Sequence, residues 1–449
     1  MNKITLHVEN FGKIEKADIE LSPFTIFMGD NNSGKSYIMT LIYGLLNLDF
    51  TFSYLINKNS DNYNNTVKFI ENIIYNTKNS NTSYKTVIEK DNIILFENII
   101  NEFLENVKDE ILIRNFNKKI DIKKLSIKLN KNNIYKFNTL MIKNFFTLNK
   151  NIIEISPINL NSTFGYPIEL DDVNAFNKII FFIIDLIISD TFLDRENLFN
   201  KVFYLPTSRT GFMLTYPAII SKALQSTFST TDNITKNLLT KPCLDFLVNL
   251  STVSEQNKND KFKNITDMIE NDIIKGNISV DNKPSSNISY IPKGSKSKLP
   301  MYISSGVVTE IAPFLMFLKY YNPNIIMMEE PEMCLHPELQ WKFSRCLVNL
   351  INSGVPIFIT THSDIILNHI NNMIKFKDSP YKKDFAEKFG YTEKDALDKN
   401  MVSAYQFNVI DGKTIVEPLE CTENGFYADT FNKALQNILD ETYFLDGDN

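Results

Sequence analysis

Cysteine, histidine and glycine are scarce in this sequence. Its 449 residues include 4 cysteines, 4 histidines and 14 glycines. The cysteines show no C-x-x-C spacing and the histidines form no cluster of metal ligands, which argues against a structural zinc site and against a disulfide framework. This composition is typical of a protein from a reducing cytoplasm, where we expect the chain to be located.

Long apolar runs and a large excess of one charge are also missing. The longest apolar run, 179–188, is too short to span a bilayer and contains Asp185. The opening residues, MNKITLHVEN, have no apolar region of the kind found in signal peptides. A formal net charge of -6 and a pI near 5.5 argue against a protein that coats nucleic acid through general basicity. We therefore expect a soluble protein with no membrane partner, in which any DNA contact is local.

The first segment with a chemical signature follows three predicted strands within residues 3–28. The third strand, FTIFM, is apolar throughout, as expected of a buried central strand, and GDNNSGKS follows it directly. In the pattern G-x4-G-K-S, glycines let backbone N–H groups surround phosphates, the lysine reaches the β and γ oxygens, and the serine binds Mg²⁺. Residues 37–46 then predict an apolar helix. The predicted nucleotide-binding residues are Gly29, Asn31, Asn32, Ser33, Gly34, Lys35 and Ser36.

A second signature is IIMMEEPEMCLHPELQ, residues 325–340. Two adjacent carboxylates at the end of a buried strand repel each other, which is costly unless a metal ion or a proton-transfer task keeps them there. On this interpretation Glu329 binds Mg²⁺, directly or through water, and Glu330 is the catalytic base that polarises the water attacking a γ-phosphate. The alternative for this segment alone is a strand capped by solvated glutamates.

Three further segments contain candidate site residues. Arg209 follows the predicted strand VFYLP and is either a surface cap or a contact to phosphate or to a dimer interface. Ser304, Ser305 and Gly306 lie between a short predicted strand, MYI, and a predicted helix, which makes them either an anion site or an ordinary serine N-cap. His362 ends the apolar strand VPIFIT, next to the strand of the two glutamates, and is either structural or placed to hydrogen-bond a γ-phosphate.

The rest of the chain predicts a divided domain. Composition shifts to asparagine, lysine and isoleucine with mostly helical apolar spacing, which predicts a mainly helical insertion over 47–200. The flanking parts predict an N-terminal part of an ATPase head at 1–46, the remainder of the head at 201–420 and a C-terminal helical tail at 421–449. The most basic window of the insertion is either a solvated face or a contact to nucleic-acid phosphates; its lysines are Lys118, Lys119, Lys123, Lys124, Lys128 and Lys131.

Together these segments resemble the ABC-type ATPases related to RecF, Rad50, SMC and OLD proteins, which are also described as AAA-like ATPases. The motifs that carry the resemblance are FGKIEKADIEL, GDNNSGKS, YLPTSR, SSGVVTE, EEPEMCLHP and TTHSD. The resemblance implies an α/β fold, an ABC-type P-loop ATPase head with a helical insertion, and ATP and Mg²⁺ as cofactors. It also implies a head-to-head dimer or higher oligomer, in which Ser304, Ser305 and Gly306 form the signature that completes the partner's site and His362 is the switch histidine.

Two departures from the pattern argue against a transporter subunit. No glutamine occurs in 37–200 to serve as the Q-loop residue, and Val307 replaces the second glycine of a transporter-type signature. The segment after the last predicted hairpin is also too short for the metal-dependent nuclease domain of OLD proteins, so we expect any nuclease to be a separate chain.

This arrangement resembles the ATPase subunits of two-gene anti-phage systems such as PARIS and Septu. The resemblance implies an ATPase that senses infection, through DNA or a phage protein, and controls a separate effector such as a nuclease. The alternatives are a DNA-repair or DNA-end-binding ATPase of the RecF or Rad50 type, and a nucleotide-gated scaffold with little turnover.

Overall fold

The protein has a mixed α/β fold, which confirms the predicted P-loop fold class. The computed structural model describes residues 3–80, 83–142, 151–157, 166–190, 202–227, 239–281, 288–423 and 425–446. Internal contacts divide the chain into two compact units, Met1–Ser22 with Thr40–Val202 and Pro23–Met39 with Phe203–Asn449. The first strands of the chain are thus grouped with the segment predicted as an insertion.

Helices occur in both units. They are α1 (Lys35–Leu46), α2 (Asp61–Asn79), α3 (Asp91–Phe116), α4 (Ala175–Asp190), α5 (Arg209–Thr227), α6 (Lys241–Ser251), α7 (Lys263–Met268), α8 (Gly306–Tyr320), α9 (Pro337–Asn352), α10 (Asp364–Asp378), α11 (Lys382–Phe389) and α12 (Asp429–Asp446). Local sequence explains several of their ends. For example, the Ser363 hydroxyl accepts the Ile366 N–H at the start of α10, and Gly390 ends α11 in the left-handed conformation. In the part of the chain that the structure describes, no helix is both long enough and apolar enough to cross a membrane.

Strands also occur in both units. They are β1 (Ile4–Phe11), β2 (Ile14–Leu21), β3 (Phe24–Gly29), β4 (Tyr84–Ile88), β5 (Lys124–Leu129), β6 (Tyr135–Ile142), β7 (Ile152–Pro157), β8 (Tyr166–Glu169), β9 (Val202–Leu205), β10 (Gly276–Val280), β11 (Ile288–Pro292), β12 (Leu299–Pro300), β13 (Ile325–Glu329), β14 (Ile357–Thr361), β15 (Val402–Ile410) and β16 (Lys413–Leu419). A 3-10 turn at Met301–Ile303 replaces the strand predicted at MYI. The chain turns there because the Ser304 N–H donates to the Met301 carbonyl just before α8 begins.

The unit that contains the P-loop is built on strands in the order β16-β15-β3-β14-β13-β9. The pairs β15–β3, β3–β14 and β14–β13 are parallel, and β15–β16 is an antiparallel hairpin. Every residue of β3, β13 and β14 is buried, as expected of parallel strands in the middle of a sheet. Since parallel strands end at the same edge, the P-loop after β3, the two glutamates at the end of β13 and His362 after β14 all emerge at one edge of the sheet.

The hydrophobic core of this unit fixes the position of that edge. Side chains from one face of β3, β13 and β14 pack with apolar residues of α8, α9 and α10. The rings of Phe314 in α8 and Phe343 in α9 pack edge to face, with their centroids 5.1 Å apart. The strand ends that carry the candidate site are therefore supported from behind by a packed helical layer.

The other unit contains more strand than its composition predicts. In this unit β1 pairs antiparallel with both β5 and β2. The strands β4, β6, β7 and β8 form a four-stranded antiparallel sheet in that order. The sequence predicts that 47–200 is mainly helical. The helices α2, α3 and α4 lie where the spacing predicts them, but in the described part of this range five strands accompany them. These strands escaped prediction because they are short and rich in asparagine and lysine, so their alternation is weak.

Candidate functional site

The P-loop connects β3 to α1 through three residues in left-handed conformations: Gly29 (φ +130°), Asn32 (φ +58°) and Gly34 (φ +95°). A Cβ at Gly29 would lie 2.1 Å from the Phe407 carbonyl oxygen of the neighbouring strand, so only glycine fits there. The Asp30 N–H donates to the same carbonyl at 3.2 Å. The loop is therefore anchored to β15 at its start and free to curve towards the N-terminus of α1.

Lys35 lies folded into this loop. Its ammonium donates to the carbonyl oxygens of Gly29 (3.0 Å) and Asp30 (2.7 Å) and to the Ser33 hydroxyl (3.3 Å). Burial lowers the pKa of Lys35 to about 8, and the negative charges of Glu330, Asp30, Glu332 and Glu329 oppose that shift, in this order of size. The P-loop lysine and the glutamates after β13 therefore act on each other electrostatically across a single cleft.

The other predicted P-loop residues differ in their exposure. The backbone N–H of Ile38 donates to the Gly34 carbonyl at 3.1 Å, which begins the hydrogen bonding of α1. Asn31, Asn32 and Ser36 are exposed, whereas Ser33 is buried. The Ser36 hydroxyl is thus presented to solvent at the first turn of α1, where a phosphate-bound ion can reach it.

Glu329 is the last residue of β13 and is only 6% exposed. One carboxylate oxygen accepts the Tyr204 hydroxyl at 2.7 Å, and the other accepts the Thr207 N–H at 3.2 Å. These donors fix the carboxylate in one orientation. Each oxygen keeps a further lone pair, so the group can still bind a cation or water.

Glu330 has an unusual backbone conformation, with φ +43°. Its N–H donates to the Thr360 carbonyl at 2.9 Å, which ties the turn to β14. Burial and the adjacent Glu329 charge raise the pKa of Glu330, while Lys35 and Arg209 act against the rise. A left-handed glutamate is strained, and such residues cluster at functional sites, where surrounding contacts maintain them.

His362 lies at the end of β14, with its imidazole half-buried. Burial and the Lys35 charge lower the pKa of His362, and Asp30 partly offsets them. The imidazole is therefore close enough to Lys35 for its charge to be felt, and it is neutral at neutral pH. The backbone N–H of His362 donates to Glu332 at 2.6 Å, and the Thr361 hydroxyl donates to the other Glu332 oxygen at 2.9 Å.

Arg209 occupies a position that differs from both of its predicted alternatives. It is neither a surface cap nor open to a phosphate or a second subunit, because its side chain is fully buried. Its partners are backbone carbonyls and the Glu310 carboxylate of α8, with an ion-pair distance of 3.0 Å. The sequence places Arg209 directly after a strand, but only the fold shows that this position faces inward.

The residues predicted as a signature lie at the start of α8. The structure describes no hydrogen bond or ion pair between residues 304–306 and residues 29–36. Ser305 is the N-cap residue of α8, but its side chain makes no capping hydrogen bond, and both Ser305 and Gly306 are exposed. The first-turn N–H groups of α8 therefore face outward without a side-chain cap, which is a suitable arrangement for binding an anion.

The donors in the cleft fit a magnesium ion that is bound together with phosphate. Mg²⁺ is usually bound by one or two protein oxygens, with phosphate oxygens and water completing its octahedron. Ser36 and Glu329 offer such a pair, a hydroxyl and a carboxylate. Among the described residues, no group of three or more His, Cys, Asp or Glu side chains is arranged as a metal site. The chain's own donors thus fit the nucleotide-associated ion.

Several contacts of the site were not predicted from the sequence. Tyr204 and Thr207 orient Glu329, Glu332 binds the end of β14, and Glu310 pairs with Arg209. Two of them left a signal in the sequence. Glu310 is a lone carboxylate in the apolar helix VVTEIAPFLMF, and Glu332 follows the paired glutamates at a spacing of two. A carboxylate within an apolar segment is rarely buried unless it has a hydrogen-bond or ion-pair partner.

Comparison with known proteins identifies a family. Residues 1–367 match the family described as the AAA ATPase domain. No protein of curated function matches the sequence. The SMC head domain from Thermotoga maritima is 12% identical, with a TM-score of 0.34 and coverage of 94% of this chain and 100% of that chain. An SmcHead bound to the C-winged helix domain of ScpA is 11% identical, with a TM-score of 0.38 and coverage of 93% and 97%.

A third structure is an Smc head domain with an extended coiled coil bound to the C-terminal domain of ScpA, derived from Pyrococcus furiosus. It is 12% identical, with a TM-score of 0.37 and coverage of 98% of this chain and 100% of that chain. TM-scores below 0.5 do not establish a relationship, so the family assignment depends on the match to the family's sequence pattern. Because that match extends over residues 1–367, most of its length, the chain belongs to the AAA ATPase domain family.

Proposed function

We propose that this ATPase hydrolyses ATP with Mg²⁺ in the cleft at the ends of β3, β13 and β14. The observation that carries the proposal is geometric: β3, β14 and β13 are parallel neighbours, so the P-loop, the two glutamates and His362 emerge at one edge of the sheet. The electrostatic interactions agree with this placement. Lys35 is affected by the charges of Glu330 and Glu329, and His362 is affected by the charge of Lys35. A cation-bearing phosphate loop, two carboxylates and a neutral imidazole thus converge on one space, which is the set of groups that phosphoryl transfer to water requires.

In this proposal Lys35 exchanges partners when ATP binds. Its ammonium leaves the carbonyls of Gly29 and Asp30 and turns to the β and γ phosphate oxygens, a stronger charge-assisted interaction. The N–H groups of residues 31–36 surround the phosphates at the N-terminus of α1. Most of the binding energy for the triphosphate then comes from this loop.

The roles after β13 and β14 follow from their hydrogen bonds. Mg²⁺, bound by Ser36 and Glu329, would neutralise charge on the phosphates. Glu330 orients the attacking water and accepts its proton, which its raised pKa favours. His362, neutral because of its lowered pKa, donates a hydrogen bond to the γ-phosphate. Glu332 keeps His362 in position through the backbone of that residue.

A matched pair of variants tests the cleft. Lys35→Ala should lose Mg²⁺-dependent ATP binding, measured by calorimetry, and ATP turnover, measured by phosphate release, because no other cation of the loop reaches the β and γ phosphates. Lys296→Ala removes an exposed lysine outside the cleft and should leave both unchanged. Equal affinity in wild type and Lys35→Ala would show that the phosphate-binding assignment is wrong.

The site is completed by a second copy of the chain in our proposal. Ser304, Ser305 and Gly306 form no hydrogen bond or ion pair with the P-loop in the described residues, yet the start of α8 is exposed and lacks a side-chain cap. A head-to-head dimer would bring this anion site of one subunit to the γ-phosphate held by the other. ATP-dependent dimerisation of Glu330→Gln, measured by light scattering, tests this; a strictly monomeric ATP-bound protein would contradict it.

We further propose that the ATPase acts in the prokaryotic cytoplasm and controls a separate effector protein, such as a nuclease, in response to phage infection. The support is the resemblance of the motifs to the ATPase subunits of two-gene anti-phage systems. The expected result is protection of bacteria from phage that requires both the ATPase with intact Lys35 and a second protein. Protection that needs no second protein would contradict the effector part.

Contact with DNA is the alternative that a structural observation favours. Lys124 and Lys128 are exposed on the same face of β5, and Lys118, Lys119, Lys123 and Lys131 of the same window are also exposed. A repair or DNA-end-binding ATPase should show turnover that rises at least about tenfold with duplex DNA at low salt and less at high salt. A third outcome, tight ATP binding with hardly any turnover in any condition, would identify a nucleotide-gated scaffold.

A further inference from the structure

We propose that Arg209 and Glu310 form a buried positioning pair that sets the backbone turn carrying Glu330. This inference rests on the proposed function, because it assigns a task to Glu330 as catalytic base. Neither residue touches the cleft itself. Both side chains are 0% exposed. Moving two charged groups out of water has a large desolvation cost, so a buried ion pair of this kind suggests a structural or functional task.

The guanidinium of Arg209 is surrounded by acceptors. Its Nε donates to the Glu310 carbonyl (3.2 Å), one terminal nitrogen donates to the carbonyls of Pro206 (3.0 Å) and Glu329 (2.6 Å), and the other donates to the Glu330 carbonyl (3.0 Å). That last nitrogen also forms an ion pair with the Glu310 carboxylate at 3.0 Å. Four of the five N–H groups of the guanidinium thus donate to backbone carbonyls, and the fully buried side chain is not open to a phosphate.

Two of these acceptors define the orientation of Glu330. The carbonyls of Glu329 and Glu330 belong to the peptide groups on either side of the Glu330 Cα. Both converge on one guanidinium, which fixes both peptide planes. With both planes fixed, the φ and ψ angles of Glu330 are also fixed, and so is the direction in which its side chain leaves the backbone.

Glu310 fixes the arginine in turn. Its carboxylate accepts the backbone N–H of Arg209 (3.2 Å), the N–H of Thr210 (2.9 Å) and the Thr210 hydroxyl (2.8 Å), besides the guanidinium. The same carboxylate thus caps the first N–H groups of α5 and anchors the arginine that begins this helix. The position of Arg209 is therefore determined by α8 as well as by its own helix.

Backbone strain occurs on both sides of the pair. Ser208, directly before Arg209, has φ +56°, and Glu330 has φ +43°. Non-glycine residues in this region relax unless their surroundings prevent it. The hydrogen bonds of Arg209 supply that constraint at Glu330. Without the guanidinium of Arg209, the backbone turn at Glu330 should relax and the Glu330 carboxylate should move away from the attacking water. The P-loop should stay intact.

The first test separates the planar fork from the charge. Arg209→Lys keeps one positive charge but cannot donate to the four carbonyls in the geometry of the planar guanidinium. We expect kcat for ATP to fall by about ten- to a thousandfold while KM stays within about threefold, because the nucleotide is bound by the P-loop. The matched control is Arg345→Lys, since Arg345 forms another ion pair in the same unit, with the buried Asp395 at 2.9 Å, and its own side chain is largely buried. That variant should retain kcat.

A second set of variants protects the test against misfolding. Removing one member of a buried pair strands the other charge, whereas removing both is often tolerated. Arg209→Met combined with Glu310→Leu should therefore unfold cooperatively near the wild-type temperature and still show the loss of kcat. Glu310→Gln, which keeps the shape of the side chain, should show a loss of at least about tenfold. Normal kcat in any of these folded variants would overturn the proposal.

Non-additivity distinguishes positioning from a general structural effect. If Arg209 acts through Glu330, then adding Arg209→Lys to Glu330→Gln should not lower kcat further. A further loss of the same size as in the wild-type background would overturn the proposal even if Arg209→Lys alone is slow. Failure of the proposed function would look different, because Glu330→Gln itself would then turn over ATP at the normal rate.

Discussion

The Glu332 carboxylate and the backbone N–H of His362 form a hydrogen bond of 2.6 Å between two loops of the site. The other carboxylate oxygen accepts the Thr361 hydroxyl at 2.9 Å. Burial raises the pKa of Glu332, and these hydrogen bonds act against the rise. The turn after β13 is thereby joined to the end of β14, so Glu330 and His362 are placed relative to each other by a third carboxylate.

Replacing that carboxylate should weaken catalysis more than binding. In Glu332→Gln the amide nitrogen cannot accept one of the two hydrogen bonds, so His362 loses part of its support. We expect kcat to fall about tenfold or more with little change in KM, measured by steady-state phosphate release. Glu338→Gln removes an exposed carboxylate, paired with Lys342 on α9, and should be neutral. An unchanged kcat in Glu332→Gln would mean that the hydrogen bond to His362 has no catalytic role.

ATP affinity should depend on pH through Lys35. Burial lowers the pKa of this amine to about 8, and bound phosphate favours its protonated form, so binding takes up a proton at higher pH. Affinity for a non-hydrolysable ATP analogue should fall above about pH 8, by up to about tenfold per pH unit. In Lys35→Arg, whose guanidinium stays charged, the decline should be absent. An equal decline in both proteins would contradict this assignment.

The same pKa has the opposite consequence for stability. In the protein without nucleotide, the pKa of Lys35 lies near about 8, below its ordinary value of 10.5. Between these values the unfolded chain binds the proton and the folded chain does not, so this group makes the free energy of unfolding rise with pH. Urea unfolding isolates this contribution as a difference: the free energy of unfolding of wild type minus that of Lys35→Ala should rise with pH over this window.

Gly29 should be intolerant of any side chain. It has φ +130°, and a Cβ would lie 2.1 Å from the Phe407 carbonyl oxygen. Gly29→Ala should therefore lower the free energy of unfolding by about 2 kcal/mol or more and abolish ATP binding. Gly354→Ala is the control, since Gly354 has φ +83° but nothing within 4 Å of the added carbon; we expect a cost of about 1 kcal/mol and normal ATP binding. Equal costs in urea unfolding would show that β15 can move aside.

Much of the sheet edge that carries the site could be predicted from the sequence because its signals are local. FTIFM, IIMME and IFITT are mainly apolar segments without polar alternation, which is typical of strands that are buried on both faces. The P-loop is a contiguous pattern whose chemistry does not depend on distant residues. Parallel strands also share their carboxyl edge, so the convergence of Glu330 and His362 on the loop is expected from the topology alone.

What could not be predicted depends on pairing across long distances in the chain. Glu310 meets Arg209 from a helix 101 residues further along, and nothing near either residue specifies that partner. The sequence does not predict the burial of Arg209 for this reason. A residue that follows a strand is exposed or buried depending on which distant part of the chain packs against it. The strands between 84 and 169 escaped prediction because their pattern is weaker than that of the neighbouring helices.

The adjacent glutamates should separate into two phenotypes. Glu330→Gln keeps the shape and the backbone turn but removes the base, so ATP should stay bound while hydrolysis slows by about two to four orders of magnitude. Glu329→Gln should instead raise the Mg²⁺ concentration needed for half-maximal activity, because the amide is a poor ligand for this ion. Titration of Mg²⁺ at saturating ATP distinguishes the two. If Glu329→Gln traps ATP and Glu330→Gln turns over normally, the roles are exchanged.

A composite site makes a prediction about mixed dimers. Lys35→Ala removes a sound phosphate loop, and Ser305→Arg blocks the exposed start of α8, so each variant alone should be inactive. In a heterodimer, one subunit supplies an intact P-loop and the other an intact signature, which leaves about one complete site. Mixing the two inactive proteins should therefore restore ATP turnover, to about half of the wild-type rate per heterodimer if the two sites act independently.

The control for the mixed-dimer experiment is a pair of variants that damage the same half. Lys35→Ala mixed with Gly29→Ala has no intact P-loop in any dimer and should stay inactive, whereas Lys35→Ala with Ser305→Arg should recover. Native mass measurement must show that heterodimers form in both mixtures. Heterodimers without recovery would contradict independent composite sites, and single-site ATP occupancy in them would then indicate that both sites must be filled before either hydrolyses. Heterodimers with neither turnover nor occupancy would show that Ser305 and Lys35 serve the same subunit's nucleotide.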